Sequence, residues 1–210
     1  MSGLLIAIDG VDGSGKSTLA NAVGRALEAN QFPFKIYGYP TKTGSVGKLI
    51  RRVFTGEEKV DIAAMCHLMT ADAIDTERAL RADLEADTLV IMDRYTVTSS
   101  WAYQTEAHKL DDVLRTVGPQ RLTPPDAVFI LDVPTDMAIG RIQARGGKDG
   151  YYENVDRAEF DRRRNKYLAY QLMNPFNTVL LDGTQKTEAN ATVILQIIES
   201  VVNLRKVGRN

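Results

Sequence analysis

Short runs of apolar residues alternate along the chain with longer segments in which apolar residues return every three or four positions. The continuous runs predict buried strands, and they cover residues 4–8, 34–37, 89–92, 127–131 and 178–181. The periodic segments predict helices, and they cover residues 17–30, 46–53, 62–84, 135–144, 156–173 and 188–205. Strands that alternate with helices predict an α/β fold, with a parallel sheet of about five strands and helices on both faces.

Length and composition predict one globular domain that spans residues 1–210. The chain has 210 residues, of which 44% are hydrophobic and 25% charged, and it contains no linker or internal repeat that would divide it. The glycine-rich sequence 145–150 interrupts the helical pattern and predicts a short lid over about 145–155. Its 26 basic and 27 acidic residues nearly balance, so the composition does not indicate nucleic-acid binding.

Cysteine content and hydropathy indicate in which cellular compartment the protein is expected. Cys66 is the only cysteine and can form no disulfide within the chain, which favours a reducing environment. The N-terminal sequence has neither the basic region nor the apolar length of a signal peptide, and no stretch is apolar enough to cross a membrane. We therefore expect a cytoplasmic protein with no membrane partner.

A phosphate-binding loop is predicted between the first strand and the first helix. The sequence 10–17 matches G-x-x-x-x-G-K-[ST] without a gap, and its flanking strand and helix are the context that this motif requires. Backbone N–H groups of such a loop cradle phosphate oxygens, the lysine reaches the β/γ phosphates, and the serine hydroxyl suits Mg²⁺. The candidate ATP-binding residues here are Gly10, Val11, Asp12, Gly13, Ser14, Gly15, Lys16, Ser17 and Thr18.

Other motifs narrow the class of nucleotide-binding protein. A GTPase needs an N-K-x-D motif, but Asn165-Lys166 continues as Tyr167-Leu168 inside an arginine-rich helix. Helicases and motor proteins generally need a longer chain. These observations favour a kinase that acts on a small molecule.

A second candidate site follows the third predicted strand, in the sequence Asp93-Arg94-Tyr95. A carboxylate at the end of this strand is placed beside the phosphate loop, where it can hold Mg²⁺ directly or through water. The guanidinium of Arg94 could clamp an acceptor phosphate in a bidentate manner. A structural role as a helix cap is the alternative.

The ordered series of segments resembles the thymidylate (dTMP) kinases, a family of P-loop nucleoside monophosphate kinases, along nearly the whole chain. The supporting segments are 8–18, 39–40, 47–50, 93–95, 102–104, 125–126, 131–134, 141–146 and 152–153. The resemblance implies a three-layer P-loop kinase fold with a lid and, as the reaction, phosphoryl transfer from MgATP to a deoxynucleoside 5′-monophosphate. It also implies a homodimer.

The resemblance also assigns roles to individual residues. Asp12 is expected to accept a hydrogen bond from the 3′-hydroxyl of the deoxyribose. Arg94 is expected to bind the acceptor phosphate, and Tyr103 to lie under the sugar. Arg141 is expected to lie against adenine, with Gln185 in the loop that completes the adenine pocket. The further substrate-binding positions that the resemblance implies are Pro40, Lys42, Met69, Ala73 and Tyr152.

Catalysis is expected to rest on positioning and charge neutralisation, because the transition state of phosphoryl transfer is loose and carries spread negative charge. Some members of the family place an arginine in the phosphate loop at the position of Gly13, and others supply the cation from the lid. The glycine here assigns that task to the lid, with Arg145 preferred over Lys148. We interpret the arginines at 162–164 mainly as a helix face.

The departures from the family pattern concern the base and the acceptor phosphate. Met69 and Ala73 stand where the family usually has a phenylalanine under thymine and an arginine directed at O4. Lys42 replaces an arginine, and one extra residue near Trp101 lengthens the segment between Asp93 and the family's tyrosine. The neighbouring Asp72 could accept a base amino group, although we interpret it as a solvated helix residue.

Several functions stay open at this point. dTMP is the first choice of acceptor, and dUMP, 5-hydroxymethyl-dUMP, dCMP and dGMP are alternatives. A non-catalytic nucleotide-binding protein would have lost the reactive groups, yet Lys16, Ser17, Asp93 and Arg94 are all present. A kinase of unphosphorylated deoxynucleosides would not need the phosphate clamp that Arg94 and Lys42 suggest.

Overall fold

A parallel sheet of five strands forms the centre of the computed structural model, which describes residues 3–95, 99, 102, 122–145, 156–174 and 176–207. The strands lie in the order β2-β3-β1-β4-β5 and every neighbouring pair is parallel. They are β1 (Leu5–Asp9), β2 (Phe34–Gly38), β3 (Leu89–Asp93), β4 (Ala127–Asp132) and β5 (Thr178–Asp182). The predicted fold class is confirmed. Each strand ends one residue later than predicted, because the last residue, which is Gly38 in β2 and an aspartate in the others, still pairs through its backbone.

Six helices lie in the described residues and agree closely with the periodic segments. They are α1 (Lys16–Ala29), α2 (Ser45–Phe54), α3 (Ile62–Glu85), α4 (Thr135–Ala144), α5 (Arg157–Met173) and α6 (Thr187–Val207). Asp61 and Asp156 cap α3 and α5 by accepting hydrogen bonds from the backbone N–H groups two residues later. None of the described helices is long and apolar enough to span a bilayer.

Two apolar clusters cover opposite faces of the sheet. Along β1, Leu5 and Ala7 belong to a cluster with residues of α3, α4 and α5, whereas Ile6 and Ile8 belong to a cluster with residues of α1 and α6. This division follows the period of two by which successive strand side chains point to opposite faces. A third, smaller cluster joins α2 to α3, in which Ile50 of α2 packs with Met65 and Met69 of α3.

Four of the five strands end in an aspartate, namely Asp9, Asp93, Asp132 and Asp182. Because all the strands are parallel, their carboxyl ends meet at one edge of the sheet. The loop 10–17 leaves β1 at the same edge, beside the central strands. The topology therefore gathers carboxylates and the predicted phosphate loop at one place, which is where ligands of open α/β sheets bind.

Candidate active site

The loop 10–17 turns sharply from β1 into α1. Its glycines at positions 10, 13 and 15 have φ angles of 146°, 77° and 102°. The backbone N–H of Ser14 donates to the Val11 carbonyl at 3.2 Å, and the Lys16 ammonium donates to the same oxygen at 3.2 Å. The loop thus wraps onto itself at the N-terminus of a 14-residue helix, an arrangement that favours the binding of an anion.

Gly13 lies directly against the backbone of α4. A Cβ atom at this position would stand 2.3 Å from the carbonyl oxygen of Ala138, and the φ of 77° is one that residues with side chains rarely adopt. Neither arginine nor any other side chain fits here without displacing α4. The packing explains why this chain has glycine where some members of the resembled family have arginine.

The ammonium of Lys16 lies in a buried and strongly charged environment. The residue is 6% exposed, and its Nζ stands 3.7 Å from Oδ1 of Asp12. Burial and, next, the neighbouring Arg94 guanidinium lower the pKa of Lys16 to about 8, against the opposing influence of the surrounding carboxylates. The site therefore presents a cation whose charge a bound polyphosphate would stabilise.

Arg94 reaches from the end of β3 to the phosphate loop. Its guanidinium donates to Oδ1 of Asp12 and stands 4.0 Å from Oδ1 of Asp9, so the arginine lies between two carboxylates of neighbouring segments. Its side chain is 15% exposed. The structure thus brings together three predicted site residues, Asp12, Lys16 and Arg94, although they come from two separate parts of the sequence.

Asp93 and Ser17 provide oxygen atoms that suit a magnesium ion. Oδ1 of Asp93 is buried and has no hydrogen-bond partner among the described residues. Ser17 is exposed in the first turn of α1. The described part of the chain contains no group of three or more His, Cys, Asp or Glu residues placed to hold a metal by themselves. This donor set fits Mg²⁺, which commonly binds through one or two protein oxygens together with phosphates and water.

Arg141 joins the phosphate loop to the loop that follows β5. Its guanidinium donates to the carbonyl oxygens of Ser14 at 2.9 Å, Gly13 at 3.4 Å and Gly183 at 3.2 Å. In the second loop, the amide of Gln185 donates to Asp182 at 3.0 Å. The structure therefore brings the two residues predicted for the adenine side to one region. The contacts of Arg141 use the edge of the guanidinium, whereas stacking on a base would use its face.

The turn after β2 is anchored by two residues that sequence reasoning did not assign to it. Both carboxylate oxygens of Asp72, which is 1% exposed, accept hydrogen bonds from Thr41: Oδ2 from the backbone N–H at 2.7 Å and Oδ1 from the hydroxyl at 2.6 Å. Arg51 donates to the Pro40 carbonyl at 2.7 Å. Our interpretation of Asp72 as a solvated residue is wrong, and its oxygens are engaged by the turn. Lys42 is exposed beside this anchored position.

These anchors carry no local motif, because the partners are separated by 31 residues in one case and 11 in the other. The signal that could have found Asp72 is its place within an otherwise apolar stretch of the α3 pattern. A buried aspartate in a helix needs donors from another segment, and the residues after Pro40 supply them. No comparable signal identifies Arg51.

Met69 and Ala73 lie on α3 in two different apolar clusters. Met69 is 8% exposed and packs with Ile50 and Met65, whereas Ala73 is 1% exposed and belongs to the larger cluster that contains Tyr39. Neither side chain carries a polar group that could read a base. The two predicted base-side positions are thus apolar and buried.

The arginines around the predicted lid make different contacts. Arg145 is exposed at the C-terminal end of α4. Arg162 and Arg163 donate to Glu159 on their own helix, and Arg164 forms a bidentate pair with Asp132 at the end of β4, with distances of 2.6 and 2.8 Å. Four other residues named in the sequence predictions lie outside the described residues: Trp101, Tyr103, Lys148 and Tyr152.

Comparison with known proteins agrees with this geometry. A protein-family model described as thymidylate kinase matches residues 8–194. The chain is 28% identical over 185 residues to a probable thymidylate kinase of Methanocaldococcus jannaschii, covering 88% of this chain and 89% of that protein. It is 29% identical over 207 residues to the thymidylate kinase of Alcanivorax borkumensis, covering 96% and 98% of the two chains.

A solved structure supports the same fold. The thymidylate kinase of Candida albicans superposes with a TM-score of 0.74 at 20% identity, covering 96% of this chain and 93% of that one. The family model matches most of the chain and the curated relatives extend over nearly all of it, which confirms the predicted family, nucleoside monophosphate kinase class and dTMP reaction over the non-catalytic alternative. The chain belongs to the thymidylate kinase family, which phosphorylates dTMP to dTDP.

Proposed function

We propose that this chain performs that reaction with MgATP as the donor, transferring the γ-phosphoryl group to the 5′-phosphate of dTMP. The observation that carries the proposal is the convergence of Lys16, Asp12 and Arg94 at the carboxyl edge of the sheet. A phosphate loop with its lysine serves the donor, and an arginine from the next strand serves the acceptor. Two phosphate-binding groups side by side are what a monophosphate kinase needs, and a protein that only binds ATP has no use for the second.

The proposed mechanism uses positioning and charge. The loop N–H groups and Lys16 hold the β/γ phosphates, while Arg94 holds the acceptor phosphate in line with the γ-phosphorus. Arg94 now donates to Asp12. On acceptor binding, the phosphate takes the guanidinium and the 3′-hydroxyl donates to Asp12. Each of the two side chains exchanges its partner in the protein for a group of the substrate.

Ser17 and Asp93 are the residues that would hold Mg²⁺. The buried Oδ1 of Asp93 at the end of β3 and the hydroxyl of the exposed Ser17 in the first turn of α1 are the two oxygens available for the ion. When bound, the ion neutralises negative charge on the donor phosphates. The protein's own part is to present these two oxygens from a strand end and a helix start.

The cation that meets the transition state is assigned to the lid. Gly13 leaves no room for a side chain in the phosphate loop, so an arginine there cannot supply the charge. Arg145 follows α4 directly and is exposed at the beginning of the predicted lid. It has the planar fork that suits a phosphoryl group, and Lys148 is the second candidate.

On the acceptor side, we assign Pro40, Lys42, Met69, Ala73, Tyr103 and Tyr152 to the dTMP pocket, and on the donor side Arg141 and Gln185 to adenine. With apolar side chains at 69 and 73, discrimination between thymine and other bases is expected to be weaker than that of a pocket with a charged donor. We further propose a homodimer and a cytoplasmic location, which follow from the family resemblance and from the single cysteine.

A coupled assay of ADP release with MgATP tests this function. The acceptor panel contains dTMP, dUMP, 5-hydroxymethyl-dUMP, dCMP, dGMP and dAMP, with thymidine as the unphosphorylated control. The proposal predicts the highest kcat/KM with dTMP and no turnover of thymidine. Binding of MgATP without turnover of any monophosphate would contradict it, and a higher kcat/KM for another base would replace dTMP as the acceptor.

A further inference from the structure

The last residue of β1, Asp9, carries a carboxylate that no assigned step of the reaction uses. The residue is 0% exposed, and its two oxygens accept four hydrogen bonds from other parts of the protein. Oδ1 accepts from the Gly10 N–H at 2.8 Å and from the Tyr167 hydroxyl at 2.9 Å. Oδ2 accepts from the Tyr95 N–H at 3.2 Å and from the Ser99 hydroxyl at 3.0 Å. Donors from three separate regions of the chain thus converge on one buried group.

Such a group is costly to bury, and the surroundings show what compensates for it. Burial raises the pKa of the Asp9 carboxyl, and the nearby Arg94 guanidinium is the largest opposing influence. Because all four hydrogen-bond partners donate, they stabilise the carboxylate as an acceptor. A buried polar network in which every member has a partner holds a single geometry.

The geometry that Asp9 holds is that of the turn at Arg94. This residue has a φ of 80°, which is uncommon for a residue with a side chain. The N–H of Arg94 donates to the Ile8 carbonyl at 3.0 Å, and the next N–H, of Tyr95, donates to Asp9. The guanidinium of the same arginine stands 4.0 Å from Asp9. Asp9 therefore contacts the backbone that directs Arg94 and faces its charged end.

Tyr167 brings α5 into this arrangement. It is 2% exposed and donates to Asp9 across a separation of 158 residues in the sequence. α5 is the first described helix after the predicted lid, which covers about 145–155. Through one hydrogen bond, the helix beyond the predicted lid is thus joined to the residue that supports Arg94.

We propose that Asp9 and Tyr167 are a positioning pair that holds Arg94 in the conformation that binds the acceptor phosphate. This inference rests on the proposed function, because it assigns Arg94 to the acceptor. Tyr167 fixes the Asp9 carboxylate, and the carboxylate fixes the left-handed turn at Arg94. Neither residue touches the reacting atoms, so both act on the acceptor through the arginine.

Tyr167→Phe tests the pair, with Tyr170→Phe as its matched control. Both changes remove one hydroxyl from a fully buried tyrosine on α5, but among the described contacts only the first removes a donor to Asp9. We expect Tyr167→Phe to raise the KM and the calorimetric Kd for dTMP roughly fivefold, a loss of the size typical of one intramolecular hydrogen bond. The KM for ATP should change by less than about twofold, and Tyr170→Phe should leave both KM values near those of the unmodified enzyme.

A double variant separates positioning from a general structural effect. If Tyr167 acts through Arg94, adding Tyr167→Phe to Arg94→Ala should not weaken dTMP further, because the residue it positions is gone. A fivefold loss that persists in the Arg94→Ala background, or equal changes in the KM values for dTMP and ATP, would overturn the proposal. Urea unfolding of each variant shows that the folded states are being compared.

Asp9→Asn is the second variant and should weaken dTMP more than Tyr167→Phe, since it replaces a carboxylate that four donors share. If it does not fold, Ser99→Ala removes another of the four donors and should again raise the KM for dTMP selectively. An unmodified enzyme without dTMP turnover would contradict the proposed function. An active enzyme whose Tyr167→Phe variant binds dTMP as tightly as Tyr170→Phe would contradict the pair alone.

Discussion

The donor and acceptor sides of the site are held in place by different kinds of contact. On the donor side, the loop 10–17 is shaped by its own backbone and by close packing of Gly13 on α4, and Arg141 bonds to main-chain oxygens. On the acceptor side, side chains of other segments hold the turn after β2, as Asp72 accepts from Thr41 and Arg51 donates to the Pro40 carbonyl. A site that is shaped by its own backbone can be recognised from a contiguous sequence motif. A site that is held by side chains of separate segments has no such motif, and its residues can be substituted one at a time.

The difference matches the pattern of departures from the family. The residues of the phosphate motif are all present, while the unusual residues fall at Lys42, Met69 and Ala73, on the acceptor side. The turn that carries Lys42 packs tightly against α2, where a Cβ at Gly47 would stand 2.2 Å from the Thr41 carbonyl oxygen. The turn is therefore fixed in place, although the side chain that we propose to bind the acceptor phosphate is a lysine rather than the family's arginine.

The largest expected effect is that of Lys16→Ala, which removes the buried donor-side cation. Phosphoryl transfer should fall by about a thousandfold or more, because no other group replaces the charge at the β/γ phosphates. The fold should persist, since the loop is shaped by backbone contacts. Lys59→Ala, at an exposed position between α2 and α3, is the control in the same turnover and unfolding measurements. Turnover by a folded Lys16→Ala enzyme at the rate of this control would contradict the donor site.

Arg94→Ala should separate the two sides most clearly. We expect roughly a hundredfold rise in the KM for dTMP, from loss of a charge-assisted clamp, with a much smaller change for ATP. Arg78→Ala, on the exposed face of α3, provides an arginine control. Equal losses for the two substrates would show that the arginine supports the whole site and that the division into two sides is wrong at this residue.

The pH dependence should affect the donor side alone. Lys16 has a pKa of about 8 in the unliganded protein, so it loses its charge as the pH rises through that value. The kcat/KM for ATP should fall about tenfold per pH unit above it, whereas kcat at saturating ATP should fall less because bound phosphate favours the charged form. The initial-rate profile between pH 6.5 and 9.5 measures this. A flat kcat/KM profile would contradict the environment described for Lys16.

A smaller effect is expected from Thr41→Val, which leaves Oδ1 of the buried Asp72 without its hydroxyl donor. The KM for dTMP should rise roughly threefold to fivefold, in line with the net contribution of one ordinary hydrogen bond, because the backbone N–H of Thr41 still donates to Asp72. The KM for ATP should not change. Thr192→Val removes a threonine hydroxyl hydrogen bond at an exposed position of α6 and is the matched control. A larger rise in the KM for ATP than in the KM for dTMP would contradict the assignment of this turn to the acceptor side.

The sequence predicted the sheet, the helices and the phosphate loop because each depends on local order: apolar runs, helical periodicity and an ungapped motif. It also placed Asp93 and Arg94 beside the loop, since parallel strands end at one edge. The contacts of Asp72 and Arg51 could not be predicted in the same way, because their partners are Thr41 and Pro40 in another segment. Whether a polar helix residue is solvated or buried depends on what the fold brings against it.

The role of Gly13 could not be predicted from the sequence either, because it depends on a contact with a distant segment. The sequence shows a glycine where some members of the family have an arginine. The structural reason is the Ala138 carbonyl oxygen of α4, 125 positions away, which would stand 2.3 Å from a Cβ at Gly13. Glycine in a phosphate loop is expected for its backbone freedom alone. Only the packed structure shows that the position is also closed by a helix.

The most direct test of the central claim follows the phosphorus atoms during the reaction of MgATP with dTMP by ³¹P NMR. Paired donor and acceptor sites predict that the dTMP resonance disappears as the coupled α and β resonances of dTDP and ADP appear in equal amounts. They also predict that inorganic phosphate stays at the level of a Lys16→Ala sample. Release of inorganic phosphate with dTMP unchanged would instead show a nucleotide hydrolase and contradict the acceptor site.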